Sequence, residues 1–197
     1  LESIYVGGGT PSRLSITELS ELFLKVREHF TFSKNIEFTI EMNPEDVNLE
    51  YLKNLSKIGI NRLSLGGQSF QDSMLINLGR SHDASELRRA CEEILNSPIQ
   101  NWNIDLIFGI PGQSFSMFKK DIEDAISYKP SHISLYGLEI HKKTPFGKNL
   151  QIINWVNEHH EQYKGMYLWA VKRLKAAGLI QYEVSNFSKK GNESKNN

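Results

Sequence analysis

Ser3-Ile4-Tyr5-Val6-Gly7-Gly8-Gly9-Thr10-Pro11-Ser12 decides how the rest of the chain reads. An apolar, β-branched run that stops in three consecutive glycines reads as a buried strand emptying into a loop whose backbone lies against something. Glycine lets main-chain N–H and C=O groups approach a ligand with no Cβ in the way, and it tolerates positive φ. Thr10 adds a hydroxyl and Pro11 stiffens the exit. Taken alone, the stretch also suits a tight strand-to-helix turn with no ligand. The residues around it separate the two readings.

The strand-then-helix unit that begins there repeats. Ser15-Ile16-Thr17-Glu18 has the spacing of a capping box, and Leu19, Leu22, Phe23, Val26 and Phe30 follow at three- and four-residue steps. Ile36 to Ile40 reads as a second strand, stopped by Glu41, Asn43 and Pro44. Asn48 caps a helix carrying Leu49, Leu52, Leu55 and Ile58. Arg62-Leu63-Ser64-Leu65 is a third strand running into Gly66-Gly67-Gln68, with a short helix over 71–78 and Gly79-Arg80 after it. Asp83-Ala84-Ser85-Glu86 is another capping box, and Cys91 falls on the apolar face of its helix with Leu87, Ala90 and Ile94. Asn103 to Phe108 is a fourth strand before Gly109-Ile110-Pro111-Gly112, followed by a helix over 115–128 and a fifth strand over 131–138. A loop through Thr144-Pro145-Phe146-Gly147, a long helix over 157–177 and a last strand over 181–187 complete the pattern. Units near 30 residues argue an α/β protein with a parallel sheet. An open doubly wound sheet and a piece of a (β/α) barrel both satisfy it.

Composition narrows the function classes. The 197 residues carry 23 basic and 23 acidic side chains and are 39% hydrophobic, enough for one domain with a full core and without the charge excess of a nucleic-acid binder. No apolar run approaches the roughly 18 residues of a membrane span, so membrane contact is not indicated and a reducing, cytoplasmic setting is expected. The single cysteine, Cys91, allows neither an internal disulfide nor a multi-cysteine metal site within these residues, and no metal ligands are assigned. The chain opens without methionine and ends in a polar run over 189–197, which suggests one domain cut at both ends.

Ligands of parallel α/β proteins collect at the carboxyl ends of the strands. Those ends carry Gly7 to Thr10, Glu41 with Asn43, Gln68 and Tyr136, while Asp105 sits inside an otherwise apolar strand and needs hydrogen-bond partners. Glycine-loop carbonyls with the Glu41 carboxylate suit an ammonium group. Arg80 suits a carboxylate, and Asp105 with Gln68 suits ribose hydroxyls. An amino acid joined to a nucleoside satisfies all of them. A phosphate cradled by the glycine loop is a rival, but Arg13 is the nearest basic residue and Glu41 would repel the anion.

Six blocks then carry a resemblance: Gly7-Gly8-Gly9-Thr10-Pro11, Glu41-Met42-Asn43-Pro44, Asn61 to Ser69, Leu78-Gly79-Arg80-Ser81-His82, Asn103 to Pro111 and Tyr182-Glu183-Val184-Ser185-Asn186-Phe187. Together, and in order over essentially the whole chain, they resemble the radical S-adenosylmethionine proteins of the oxygen-independent coproporphyrinogen oxidase group, and within it the HemW haem-chaperone branch. The resemblance implies a partial (β/α)6 barrel of parallel strands lacking its first strand, with residues 181–197 opening a C-terminal extension. It implies S-adenosylmethionine as cofactor, with Gly8, Gly9 and Thr10 at the methionine amino group, Glu41 assisting, Arg80 on the methionine carboxylate, and Gln68 and Asp105 on the ribose. It also implies haem or a porphyrinogen as partner, haem-acceptor proteins beyond that, and as the alternative activity a propionate decarboxylation driven by a 5′-deoxyadenosyl radical.

Two features depart from that pattern. The group binds a 4Fe-4S cluster through a Cys-x3-Cys-x2-Cys loop upstream of the glycine block, and these residues hold only Cys91, so they are expected not to cleave S-adenosylmethionine reductively. Where the branch continues His-Asn, this chain reads Asn196-Asn197, which leaves its haem ligand absent or substituted. His82, His132, His141, His159 and His160 match no metal-site spacing and read as surface or structural residues, with His82 set apart by its place two residues past Arg80. No catalytic residue is assigned.

Overall fold

A computed structural model of the chain describes residues 1–141, 143 and 145–196; the expectations for Thr144 and Asn197 lie outside the described residues. Seven strands form one sheet in the order β1-β2-β3-β4-β5-β7-β6. They are β1 (Ser3–Val6), β2 (Glu37–Met42), β3 (Arg62–Gln68), β4 (Asn101–Phe108), β5 (His132–Gly137), β6 (Ile180–Gln181) and β7 (Asn186–Ser188). Strands β1 to β5 pair in parallel, each with the next in the chain, while β7 runs antiparallel to β5 and to β6. A doubly wound sheet reverses its strand order at a switch point. This order never reverses, so right-handed crossovers put every helix between β1 and β5 on one face. The result is a curved, unclosed barrel wall.

The helices follow from their caps and stripes. They are α1 (Ile16–His29), α2 (Leu49–Lys57), α3 (Asp72–Asn77), α4 (Ala84–Leu95), α5 (Phe115–Ser127), α6 (Pro145–Lys148), α7 (Leu150–Glu158) and α8 (His160–Ala176). Both capping boxes form: Ser15 Oγ accepts from Glu18 N, Asp83 accepts from Glu86 N, and each glutamate returns a bond to its cap residue's N–H. Asn48 accepts from Tyr51 N at 2.8 Å and starts α2. The stripes Leu19 and Phe23, Leu52 and Leu55, Phe118 and Ile122, and Met166 with Ala170 and Leu174 are buried against Phe38, Ile40, Leu63, Trp102, Ile104 and Ile133 on the outer face of the sheet.

Each parallel strand alternates, so the inner face is built from different chemistry. Thr39, Arg62, Ser64, Asn103, His132 and Ser134 are all buried and polar. They stand side by side across the strands in the registers Thr39 with Arg62, Ser64 with Asn103, Asn103 with His132, and Asp105 with Ser134. Residues 192–195 lie under this face. Arg62 Nη1 donates to the Asn192 carbonyl at 3.2 Å, and Lys195 N donates to Glu37 Oε1 at 3.0 Å.

Two expected elements come out divided. The helix over 157–177 breaks at His159, which sits at φ −105°, ψ 13° with its imidazole Nδ1 bonded to the Trp155 carbonyl and its ring stacked on Trp155. A side chain that competes for the same carbonyl as its own backbone N–H loosens the turn there. The strand over 181–187 is instead the hairpin of β6 and β7, because the Glu183 carboxylate collects Ser185 N and the Asn186 side-chain amide and so forms a turn. Among the described residues no helix is long and apolar enough to cross a membrane.

Candidate functional site

The glycine loop leaves β1 with Gly8 at φ 80° and Gly9 at φ 61°, a region L-residues rarely adopt. Gly7 is needed for a different reason. A Cβ there would lie 2.7 Å from Tyr5 Cε1 and 2.8 Å from Glu41 Cδ, so the carboxylate rests directly against the bare backbone. Glu41 Oε1 accepts from the Tyr5 hydroxyl at 2.8 Å, and Oε2 accepts from Gly8 N at 3.0 Å. Burial and the Glu41 bond push the Tyr5 hydroxyl well above its usual range, which keeps it a donor. Glu41 is therefore first the anchor of the loop, with lone pairs left over for a ligand.

The exit of β3 supplies the next groups. The strand bulges between Leu65 and Gln68, and Gln68 takes φ 64°. Its side-chain amide lies along Gly66, where a Cβ would approach Nε2 to 3.2 Å. Arg80 follows α3 through Gly79 at φ 67°, its backbone N–H tied to the Leu75 carbonyl at 3.0 Å. Its guanidinium is exposed and has no carboxylate partner within ion-pair distance among the described residues.

Asp105, on β4, points to the inner face. Asn103 Nδ2 donates to its Oδ1 at 2.7 Å, and Ser64 Oγ lies 3.4 Å from Oδ2. Burial, reinforced by the Glu41 carboxylate, raises its pKa above the ordinary carboxylate range against the pull of these hydrogen bonds.

A cavity of about 240 Å³ opens where these elements end, lined by Gly9, Thr10, Glu41, Gln68, Arg80 and Asp105 together with Asn43 and Ser64. The structure thus brings six of the seven sequence-predicted residues to one cavity. Gly8 does not line it and faces Glu41 instead. A second cavity of about 230 Å³ lies deeper against the inner face, sharing Glu41, Ser64 and Asp105 and adding Tyr5, Thr39, Arg62, Asn103, His132, Ser134 and Tyr136. From the sequence, Thr39, Arg62, Ser64, Asn103 and Ser134 are not assigned to the site, and His132 reads as a surface or structural residue. Their signal was the period-2 alternation of Thr39-Ile40-Glu41, Arg62-Leu63-Ser64, Asn103-Ile104-Asp105 and His132-Ile133-Ser134, which a wall with one polar face requires.

The donor set discriminates among ligands. A phosphate on the glycine loop would compete with the Glu41 carboxylate for Gly8 N, and Arg13, the basic residue next to the loop in sequence, is turned to Asp46 at 3.9 Å. A zwitterion with a hydroxyl-bearing tail meets an unpaired guanidinium, an acceptor-rich loop and a carboxylate. His82 does not join them: it is buried with Nε2 3.2 Å from the Gly67 carbonyl and Nδ1 3.6 Å from Glu45.

An iron–sulfur cluster does not fit these residues. Cys91, the one cysteine, is fully buried in α4, and burial pushes its thiol up to about 12. No group of three potential metal ligands occurs among the described residues. Iodoacetamide is therefore expected to leave Cys91 unmodified in the native chain and to alkylate it fully in denaturant, read by intact mass. Rapid native labelling would contradict its placement.

Comparison with known proteins follows this geometry. Residues 1–125 match the family described as the Radical SAM superfamily. The chain is 37% identical over 198 residues to the heme chaperone HemW of Bacillus subtilis, which covers 100% of this chain and 52% of that protein. It is 32% identical over 197 residues to the heme chaperone HemW of Escherichia coli, covering 100% of this chain and 51% of that one. The chain spans about half the length of the curated relatives it matches. Among solved structures, coproporphyrinogen III oxidase (HemN) from Escherichia coli, described as a radical SAM enzyme, superposes with a TM-score of 0.82 at 23% identity, covering 98% of this chain and 44% of that one.

Proposed function

The chain belongs to the Radical SAM superfamily, and from that membership we propose that it is the S-adenosylmethionine-binding core of a haem-chaperone protein of the HemW kind. The observation that carries the reading is the unpaired Arg80 guanidinium opening on the same cavity as Asp105 and the Gly9-Thr10 backbone. In this assignment Arg80 takes the methionine carboxylate. The loop carbonyls and the remaining lone pairs of Glu41 take the ammonium, and Gln68 and Asp105 take the ribose hydroxyls.

S-adenosylmethionine supplies radical chemistry in this superfamily when a reduced iron–sulfur cluster adjoins it. These 197 residues offer no three-thiolate seat for such a cluster, so their part is to bind and orient. Glu41 fixes the loop through Gly8 and Tyr5. Asn103 and Ser64 fix the Asp105 carboxylate. Haem is the proposed partner of the whole protein, and haem-acceptor proteins are its proposed recipients. The inner cavity, about 230 Å³ and lined mostly by polar side chains that include Arg62 and His132, is a poor host for a large apolar macrocycle, so haem is proposed to sit outside the barrel's inner face.

Calorimetry with S-adenosylmethionine and with ATP tests the assignment. S-adenosylmethionine is expected to bind and ATP not. Replacing Arg80 with alanine is expected to weaken binding by about tenfold or more, the effect of losing a charged hydrogen-bond partner. Binding of ATP with no heat from S-adenosylmethionine would return the site to the phosphate reading.

A further inference from the structure

We infer that His132 is a positioning residue for Asp105, acting through the side-chain amide of Asn103. The inference rests on the reading that Asp105 holds the ribose hydroxyls. His132 on β5 stands directly beside Asn103 on β4 in the sheet register and is 1% exposed. Its Nδ1 lies 2.7 Å from Asn103 Oδ1, and its Nε2 lies 2.7 Å from the Tyr182 hydroxyl. Asn103 Nδ2 donates to Asp105 Oδ1 at 2.7 Å and to Ser64 Oγ at 2.8 Å, and Ser134 Oγ donates to Asn103 Oδ1 at 3.1 Å.

With Asp105 ionised, one arrangement of protons satisfies all of these contacts. A carboxylate oxygen at 2.7 Å requires the amide nitrogen of Asn103 to face it, so the amide oxygen faces His132. The imidazole then carries its proton on Nδ1 and accepts at Nε2 from Tyr182. Burial, with the Arg62 charge nearby, pushes the His132 pKa down to about 3, so the ring stays neutral and this tautomer persists at working pH. The Tyr182 hydroxyl in turn lies 3.2 Å from Ser194 N, which donates to it. Without the Nδ1 proton, nothing on β5 except Ser134 would hold the Asn103 oxygen away from Asp105. A swapped amide would set two oxygens against each other where a ligand hydroxyl must bind.

The test uses the 197-residue chain and two substitutions. His132→Asn keeps an N–H near the Nδ1 position, and His132→Leu removes it. Affinity for S-adenosylmethionine is expected to fall about tenfold in His132→Leu and to stay within about threefold in His132→Asn. Equal affinity in all three chains, or equal loss in both variants with the same drop in melting temperature, would overturn the inference. Long-range proton–nitrogen NMR on the unsubstituted chain should find the neutral Nδ1–H tautomer, and an Nε2–H tautomer would likewise overturn it. A chain that binds no S-adenosylmethionine ends the cofactor reading but still decides this one. The Asn103 side-chain amide protons should then exchange fast in His132→Leu and remain protected in His132→Asn, and protection unchanged in both would show that His132 does not hold that amide.

Discussion

Asp121→Ala is expected to lower the unfolding free energy by about 3 kcal/mol, measured by urea denaturation at neutral pH. Asp121 lies on α5, 2% exposed, with both oxygens in use. It accepts from Ser69 Oγ and Phe70 N at 2.8 Å each, from Gln71 Nε2 at 3.2 Å and from Gln113 Nε2 at 3.4 Å. Gln113 passes the connection on, its Oε1 accepting from Gly109 N at 2.9 Å. One carboxylate therefore ties together the loops that leave β3 and β4, the first of which follows Gln68 and leads to Arg80. Alanine leaves a buried backbone donor and three side-chain donors with nothing to meet. A loss under about 1 kcal/mol would mean that water replaces the carboxylate freely.

The same residue sets a pH dependence of definite sign. Burial pushes its pKa up to about 6 despite the four donors. An acid that holds its proton more tightly in the folded state destabilises that state as it ionises. Its contribution therefore worsens as pH rises from the ordinary carboxylate range to about 6, and is constant above. Asp121→Asn keeps an acceptor for Phe70 N and has no such slope. The difference in stability between the unsubstituted chain and this variant should shift against the unsubstituted chain between pH 4 and pH 7, and a flat difference would contradict the assignment.

Asp105→Asn should move stability and binding in opposite directions. Burial, reinforced by Glu41, raises the Asp105 carboxylate above its usual range, so ionising it costs the folded chain more than the unfolded one. Asparagine still accepts from Asn103 Nδ2 and removes the charge. Above the raised pKa the melting temperature of the variant should exceed that of the unsubstituted chain, with the gain shrinking as pH falls through that pKa. Affinity for S-adenosylmethionine should fall by about thirtyfold, the worth of a charged acceptor to a ligand hydroxyl. A site that trades stability for binding behaves in this way. A variant that lost both together would make Asp105 a structural residue.

Much of the framework was legible because it is written locally. Ser15 with Glu18 and Asp83 with Glu86 announce helix starts through contacts three residues apart, and the stripes of α1, α4 and α8 need only a 3.6-residue period. The breaks were not legible. The interruption at His159 depends on one ring bonding one carbonyl, and the turn at Glu183 depends on a carboxylate reaching forward to Ser185 and Asn186. Gln68 at φ 64° has no signature either, since nothing in its residue type asks for that backbone.

The site shows the same division. Glycine, arginine and aspartate at strand ends state their chemistry by type, whereas the first duty of Glu41, anchoring Gly8 and Tyr5, appears only when residues more than thirty positions apart meet. Asp105 looked isolated in an apolar strand because β4 was read along its length. Read across the sheet, it is one tile in a polar floor that begins at Thr39 and ends at Ser134.

The tail beneath that floor makes hydration of the inner cavity depend on the last few residues. Asn192 and Lys195 cover Arg62 and Glu37 from below, and Ser194 itself lines the chamber. Shaving those residues away would open a porthole under a guanidinium and a carboxylate that are otherwise kept from bulk water.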